Sequence, residues 1–106
     1  MSCARRSRRR RECDSIIEQL PSGRAHLKDQ LDRAATSIVL NVAEGAGEFI
    51  PDEKRRFYRI ARRSATESAA ILHIMARRGH APADSAQQAR DLLGRIVSML
   101  VRMTKD

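Results

Sequence analysis

QLDRAATSIVLNVAEGAG, residues 30–47, decides the fold, because it has the pattern of one amphipathic helix built from small and aliphatic side chains. Apolar residues recur here, and just before it, at steps of three and four, which places them on one stripe of a helix. The stripe comprises Leu27, Leu31, Ala34, Ala35, Ile38, Val42 and Ala46. Gly45 and Gly47 predict the end of the helix, since glycine adopts the left-handed conformation of a C-cap without steric cost. We predict a helix over about residues 24–46, with Ser22 as its N-cap.

A shorter helix precedes this one in the sequence. Ile16, Ile17 and Leu20 provide its single apolar edge, and residues 21–23 (PSG) end it. Arginine favours helix, so this segment is predicted to extend upstream to about residue 8, with residues 1–7 frayed. The alternative is that its like charges keep it disordered.

The third predicted helix opens at Pro51, where a missing backbone N–H costs nothing. Asp52 and Glu53 follow and complement the positive end of the helix dipole. Two arginines and then Gly79 predict its end. Its apolar and small-residue stripe consists of Phe57, Ile60, Ala61, Ser64, Ser68, Ile71, Leu72 and Met75.

The fourth predicted helix begins at residues 82–84 (PAD), where Asp84 and Gln87 resemble a capping box. Its apolar seam comprises Ala89, Leu93, Ile96, Leu100 and Met103. Short connections favour antiparallel neighbours, so the sequence predicts an all-α, antiparallel, up-down-up-down four-helix bundle over residues 12–106. The predicted core contains Ile38, Val42, Ile60, Ile71, Leu93, Ile96 and Leu100.

Positive charge is concentrated in residues 1–11, which form a separate Arg-rich segment. The 106 residues carry a formal net charge of +8, and this segment contains six arginines and no acid. They are Arg5, Arg6, Arg8, Arg9, Arg10 and Arg11. Subtracting these six charges leaves +2 for residues 12–106. Such a run predicts contact with a polyanion such as RNA or DNA.

A second group of arginines lies on the third predicted helix. Arg55, Arg59 and Arg62 are spaced i, i+4 and i+7, so they form a ridge that Arg63 extends. One interpretation is a solvated face balanced by nearby acids. The other is a phosphate-contacting ridge, because the planar guanidinium donates paired hydrogen bonds to phosphate oxygens. Contacts of this kind position a protein on a nucleic acid without reading its sequence.

No residue pattern indicates catalysis, a metal site or a cofactor. His26, His73 and His80 are scattered, and no His-Glu-x-x-His or Glu-x-x-His motif is present. Cys3 and Cys13 lack the spacing of a zinc site or a disulfide framework. The sequence therefore predicts a protein that is not an enzyme.

The sequence also predicts a cytoplasmic protein without a membrane partner. No 18-residue apolar stretch is present, and no apolar segment follows the Arg run as an export signal would require. The two cysteines are interpreted as reduced thiols. One tyrosine, two phenylalanines and no tryptophan leave few platforms for stacking single-stranded bases.

Asn41 and Glu44 form a polar pair three residues apart, immediately before Gly45. In a structural interpretation, Asn41 bonds a neighbouring backbone group and Glu44 caps or bridges the following connection. In the alternative, the pair lies at an interface and contacts arginines of the third helix or of another subunit.

Two ordered blocks resemble a known family. Residues 30–38 (QLDRAATSI) and 41–45 (NVAEG) look like the signature of the four-helix bundle proteins encoded in intervening sequences of bacterial 23S ribosomal RNA genes. Residues 57–67 (FYRIARRSATE) resemble its third-helix motif, and the similarity covers about residues 12–103. Arg63 stands where the family often has a small residue, so either the helices pack more loosely there or Arg63 points outward. The motif positions carried over are Asn41, Glu44, Gly45, Ser64 and Glu67.

The resemblance implies small basic bundles that assemble as ring-shaped homopentamers. It also implies a relation to the accessory proteins of diversity-generating retroelements, which are pentamers that bind a reverse transcriptase and nucleic acid. With the arginines, it predicts a homopentamer that binds RNA or DNA. The alternative is a protein–protein adaptor, for example an accessory subunit of a reverse transcriptase.

Overall fold

The computed structural model describes residues 23–105, which form three α-helices joined by short connections. Helix α1 spans Arg24–Ala46, α2 spans Pro51–Arg77 and α3 spans Ala83–Met103, and this part of the chain contains no β-strand. The predicted all-α class and the three predicted helices of this region are confirmed. The predicted first helix, and with it the fourth member of a bundle, lies outside the described residues.

Neighbouring helices are antiparallel, and α2 occupies the centre. Leu27 and Met75 share a cluster at one end of the α1–α2 pair, whereas Gly45 lies against Tyr58 at the other end. Helix α2 packs against both α1 and α3, but α1 and α3 make no close backbone contact with each other. Among the described helices, the two outer ones are therefore separated by a gap, and one side of α2 faces this gap.

The core consists of two apolar clusters joined by small residues. The first contains Leu27, Ala34, Ile71 and Met75, and the second contains Tyr58, Ala61 and Leu100. Between them, Ala65 and Ser68 of α2 are almost completely buried. Small side chains at these positions let the helix axes approach closely, which compensates for the scarcity of aromatic residues.

Burial agrees with the predicted core only in part. Ile38, Ile71 and Leu100 are buried as predicted. The other four predicted core residues, Val42, Ile60, Leu93 and Ile96, are half-buried. Val42 and Ile96 pack on the second cluster but also line the space between α1 and α3, which explains their partial exposure.

Three predicted helix caps are wrong. The residue at the N-cap of α1 is Gly23 rather than Ser22, and it makes no side-chain cap. Helix α1 ends at Gly47 in a right-handed conformation, because the backbone N–H of Gly47 bonds the Ala43 carbonyl without a left-handed residue. The N-cap of α3 is Pro82 rather than Asp84, the first residue of the predicted capping box.

The predicted capping box of α3 is absent, whereas the predicted glycine stop of α2 is present. Asp84 lies inside α3, and the Gln87 amide donates to Asp91 at 2.9 Å, so no capping box forms. In contrast, Gly79 follows α2 with φ 74°, the left-handed conformation that a glycine after a helix predicts.

The exposed helix faces carry ion pairs at helical spacing. Arg33 lies 3.3 Å from Asp29, and Arg56 lies 3.2 Å from Glu53. Such surface pairs contribute only a few tenths of a kcal/mol each, about 0.2–0.5. Between residues 23 and 105, no helix is both long enough and apolar enough to cross a membrane.

Candidate nucleic-acid interface

The arginines of interest lie on α2, whose first turn already neutralises two basic residues. Pro51 stands at the start of the helix, followed by Asp52 and Glu53. Asp52 pairs with Arg55 and Glu53 pairs with Arg56, both three residues apart. Arg55 is therefore held by a carboxylate at the start of the helix.

Further along α2, a groove of about 530 Å³ opens between α2 and α3. Three of the four predicted ridge arginines line it, namely Arg59, Arg62 and Arg63, whereas Arg55 does not. The remaining lining residues are Thr66, Glu67, Ala70 and Val97. We call this feature the arginine groove.

One arginine of the groove is anchored by the end of α3. A guanidinium nitrogen of Arg62 donates to the Thr104 hydroxyl at 3.3 Å. Thr104 is itself buried, and its hydroxyl donates to the Leu100 carbonyl at 2.9 Å. Because Arg62 is already restrained, it loses less conformational freedom when a ligand binds than an unrestrained arginine would.

The other two groove arginines face solvent. Arg59 and Arg63 are exposed, and neither pairs with a carboxylate among the described residues. For Arg63, the sequence left two alternatives, looser helix packing or an outward side chain. Its exposure shows that the side chain points outward. Glu67 is also exposed in the groove, so its negative charge offsets part of the positive potential of the three arginines.

The N-terminal arginines remain a prediction. Arg5, Arg6, Arg8, Arg9, Arg10 and Arg11 lie outside the described residues.

The motif residues Asn41 and Ser64 meet at the contact between α1 and α2. The Asn41 amide donates to the Ser37 carbonyl at 2.8 Å and to the Ser37 hydroxyl at 3.1 Å. The Ser64 hydroxyl donates to the same Ser37 hydroxyl at 2.8 Å, and so joins the two helices. Asn41 thus bonds a backbone group one turn earlier, which is the structural interpretation of this residue.

Glu44 does not hold the connection between α1 and α2. It is exposed, and no hydrogen bond ties it to the described part of the chain. Glu48 performs this task instead, because its carboxylate accepts from the backbone N–H of Phe49 at 3.0 Å and of Ile50 at 3.1 Å. Lys54 adds a further bond by donating to the Gly45 carbonyl at 2.7 Å.

Gly45 is required at this corner because Tyr58 packs directly on its backbone. A Cβ atom at position 45 would lie 2.6 Å from a ring carbon of Tyr58. The Lys54 ammonium lies 5.8 Å from the centre of the same ring, within the range of a cation–π contact. Gly45 therefore serves close packing inside the helix rather than a left-handed cap.

Two residues that shape the site, Tyr58 and Thr104, are not part of the predicted apolar stripes. Tyr58 directly follows Phe57 of the predicted stripe, and it is Tyr58 that is buried. Its spacing from Ala61 and Ala65 could have indicated a buried position, since residues three and seven apart share a helix face. Thr104 follows the last predicted apolar residue, and no local pattern marks it as a partner of Arg62.

The histidines are not part of a cluster. His26 is exposed, and His73 and His80 are half-buried at separate positions. Arg24 donates to the His80 backbone carbonyl at 3.3 Å rather than to its ring. Within residues 23–105, no three His, Cys, Asp or Glu side chains are grouped as a metal site would require.

Comparison with known protein families supports the resemblance of the motifs. A family model described as 23S rRNA-intervening sequence protein matches residues 7–102. The matched range includes α1, α2 and nearly all of α3. No curated protein and no solved structure gives a significant match.

Proposed function

We propose that this chain, which belongs to the family of 23S rRNA-intervening sequence proteins, binds the phosphate backbone of RNA or DNA. We also propose that it has no enzymatic activity. In this proposal four-helix bundles assemble as a homopentamer in the cytoplasm. The residues in contact with phosphate are Arg59, Arg62 and Arg63, together with the N-terminal Arg run.

The arginine groove is the observation that supports this proposal most strongly. Two of its arginines are exposed without a carboxylate partner in the described part of the chain, and Arg62 is anchored by Thr104. A phosphate in the groove could accept from more than one guanidinium, which gives both affinity and orientation. Arg55 contributes less in this arrangement, because Asp52 already pairs with it.

Repetition of the groove around a ring would strengthen binding to a long polyanion. Each additional site binds at the effective concentration set by the ring, so weak sites combine into a high avidity. Each neutralised phosphate also releases counterions, so affinity is expected to fall steeply with salt.

A second function is supported by exposed apolar surface. Phe49 is 95% exposed and Val39 is 68% exposed, and such side chains are common in contacts between proteins. The corresponding proposal is an adaptor related to the accessory proteins of diversity-generating retroelements, with a reverse transcriptase as partner. In that case the arginines would serve solubility or the protein partner.

We expect the double substitution Arg59→Gln/Arg63→Gln to weaken RNA binding roughly tenfold, which is equivalent to about 1.4 kcal/mol. The slope of log affinity against log salt should become shallower by about 0.7–0.9 for each phosphate contact that is lost. The measurement is fluorescence anisotropy of a labelled RNA with the full chain over a salt series.

The matched control for this measurement is Arg33→Gln/Arg95→Gln, which removes the same charge from exposed positions outside the groove. Its salt slope should equal that of the unmodified protein.

A further variant replaces all six arginines of residues 1–11 by glutamine. If only this variant loses binding, the groove is not a site and the adaptor proposal gains.

A further inference from the structure

Glu67 is the only acidic side chain among the described residues that line the arginine groove. It is exposed and shares the groove with Arg59, Arg62 and Arg63. No hydrogen bond or ion pair joins its carboxylate to another side chain or backbone group within residues 23–105. Arg63 is one helical turn earlier, but an arginine that precedes its acid by four residues is in the weaker order for a helical ion pair. The Glu67 carboxylate can therefore accept hydrogen bonds from a ligand.

The other residues that line the groove do not offer a comparable acceptor. The three arginines can only donate hydrogen bonds. Thr66 directs its hydroxyl hydrogen to the Arg62 carbonyl at 3.1 Å, so this hydroxyl belongs to the helix. Ala70 and Val97 are apolar and present only carbon atoms to the groove. Within the described lining, Glu67 is thus the charged acceptor that a donor group on the ligand would meet.

A carboxylate in a phosphate-binding groove opposes the binding of any polyanion unless it gains a hydrogen bond from it. Residues four apart are separated by about 6 Å along a helix, so Glu67 is close to the sugar attached to a phosphate that Arg63 holds. In RNA the ribose 2′-hydroxyl is on the carbon atom next to the one that carries the phosphate oxygen. DNA has no hydroxyl at this position. A hydrogen bond from a hydroxyl to a carboxylate is charge-assisted and stronger than a bond between neutral groups.

We infer that Glu67 accepts a hydrogen bond from a ribose 2′-hydroxyl and thereby makes the arginine groove selective for RNA over DNA. The inference rests on the proposed function and names the nucleic acid that the groove prefers. With RNA, the hydrogen bond offsets the repulsion between the carboxylate and the phosphates. With DNA, the repulsion has no compensation. The arginines bind either backbone, and the discrimination comes from a group that penalises the wrong ligand.

The experiment measures binding of the full chain to three single-stranded probes of equal length by fluorescence anisotropy. The probes are oligouridine, oligodeoxyuridine and 2′-fluoro oligouridine, which differ only at the 2′ position. The 2′-fluoro probe keeps the sugar conformation of RNA but cannot donate, so it separates the hydrogen bond from the shape of the backbone. The unmodified protein is expected to bind oligouridine at least about fivefold more tightly than either other probe, the factor that one net hydrogen bond provides.

Glu67→Ala is expected to abolish this preference and to strengthen binding of oligodeoxyuridine. Removal of a negative charge by itself would strengthen binding of RNA and DNA equally, so the ratio of the two affinities reports the hydrogen bond. Glu44→Ala is the matched control, because it makes the same change at an exposed position outside the groove. This control should keep the preference for oligouridine. Circular dichroism shows that both variants are folded.

The remaining outcomes separate this inference from the proposed function. A full chain that binds none of the probes in a salt-dependent manner would overturn the proposed function, and the inference with it. Salt-dependent binding with equal affinity for oligouridine and oligodeoxyuridine would overturn the inference alone. A preference for oligouridine that persists in Glu67→Ala would show that another group reads the sugar. Equal affinity for oligouridine and its 2′-fluoro form would show that backbone shape is recognised, and both results also overturn the inference.

Discussion

Gly45→Ala is expected to lower the free energy of unfolding by about 1–3 kcal/mol, the usual cost of overpacking a well-packed core. The new methyl group would lie 2.6 Å from a ring carbon of Tyr58. The tyrosine cannot simply move aside, because it is buried in the cluster with Ala61 and Leu100. Urea unfolding followed by circular dichroism measures the change.

The same substitution at Gly94 is the control for this prediction. Gly94 lies inside α3, and nothing is within 4 Å of a Cβ atom built there. Alanine favours helix over glycine by about 1 kcal/mol, so Gly94→Ala should raise stability. Opposite signs for the two changes are the expected result. If Gly45→Ala also stabilised the protein, the close packing of Tyr58 on α1 would be wrong.

A double-mutant cycle attributes the cost to the tyrosine. Tyr58→Leu removes the ring atoms that approach position 45 most closely. In that background Gly45→Ala should cost less than it does alone, because residues in contact are energetically coupled. An unchanged cost would mean that the strain arises elsewhere in the helix.

Leu100→Ala is expected to lower the free energy of unfolding by about 2–5 kcal/mol. Leu100 has no exposed surface and packs against Tyr58 and Ala61, so truncation removes apolar burial and leaves a cavity between α2 and α3. The unfolding midpoint in urea, at a fixed protein concentration, gives the change. If this variant does not fold, Leu100→Val creates a smaller cavity and should still destabilise measurably.

Leu92→Ala is the matched control, because it makes the same chemical change in the same helix. Leu92 is 57% exposed, so its truncation should change stability by less than about 0.5 kcal/mol. Equal costs at the two positions would contradict the burial pattern of α3. The contrast therefore tests which face of α3 packs on α2.

The sequence predicts helix positions well because their signals are local. The apolar stripe around Ile38 and the glycines after it suffice for the bounds of α1, and Pro51 and Gly79 do the same for α2. Helix caps are less predictable. The N-caps are Gly23 and Pro82, although the nearby Ser22 and Asp84 belong to residue types with a stronger N-cap preference.

The arginine groove is predictable only in its α2 half. The spacing of Arg59, Arg62 and Arg63 is visible in the sequence, because all three belong to one helix. The bond between Arg62 and Thr104 joins residues 42 apart in the sequence. Contacts of this kind depend on how helices pack, which spacing along one helix does not specify.

The fit of Tyr58 over Gly45 also determines which residues of α1 and α2 face each other. Interfaces rich in alanine and serine present similar surfaces at every turn, so two such helices could slide by one turn, about 5.4 Å, at little cost. A slide in one direction would bring Asn41 under the Tyr58 ring, and the Asn41 side chain leaves no room for the ring. Gly45 is the only glycine within α1, so one register is selected over its neighbours. The missing side chain at position 45 thus acts together with the Ser64–Ser37 hydrogen bond and the Leu27–Met75 cluster to select one alignment of α1 and α2.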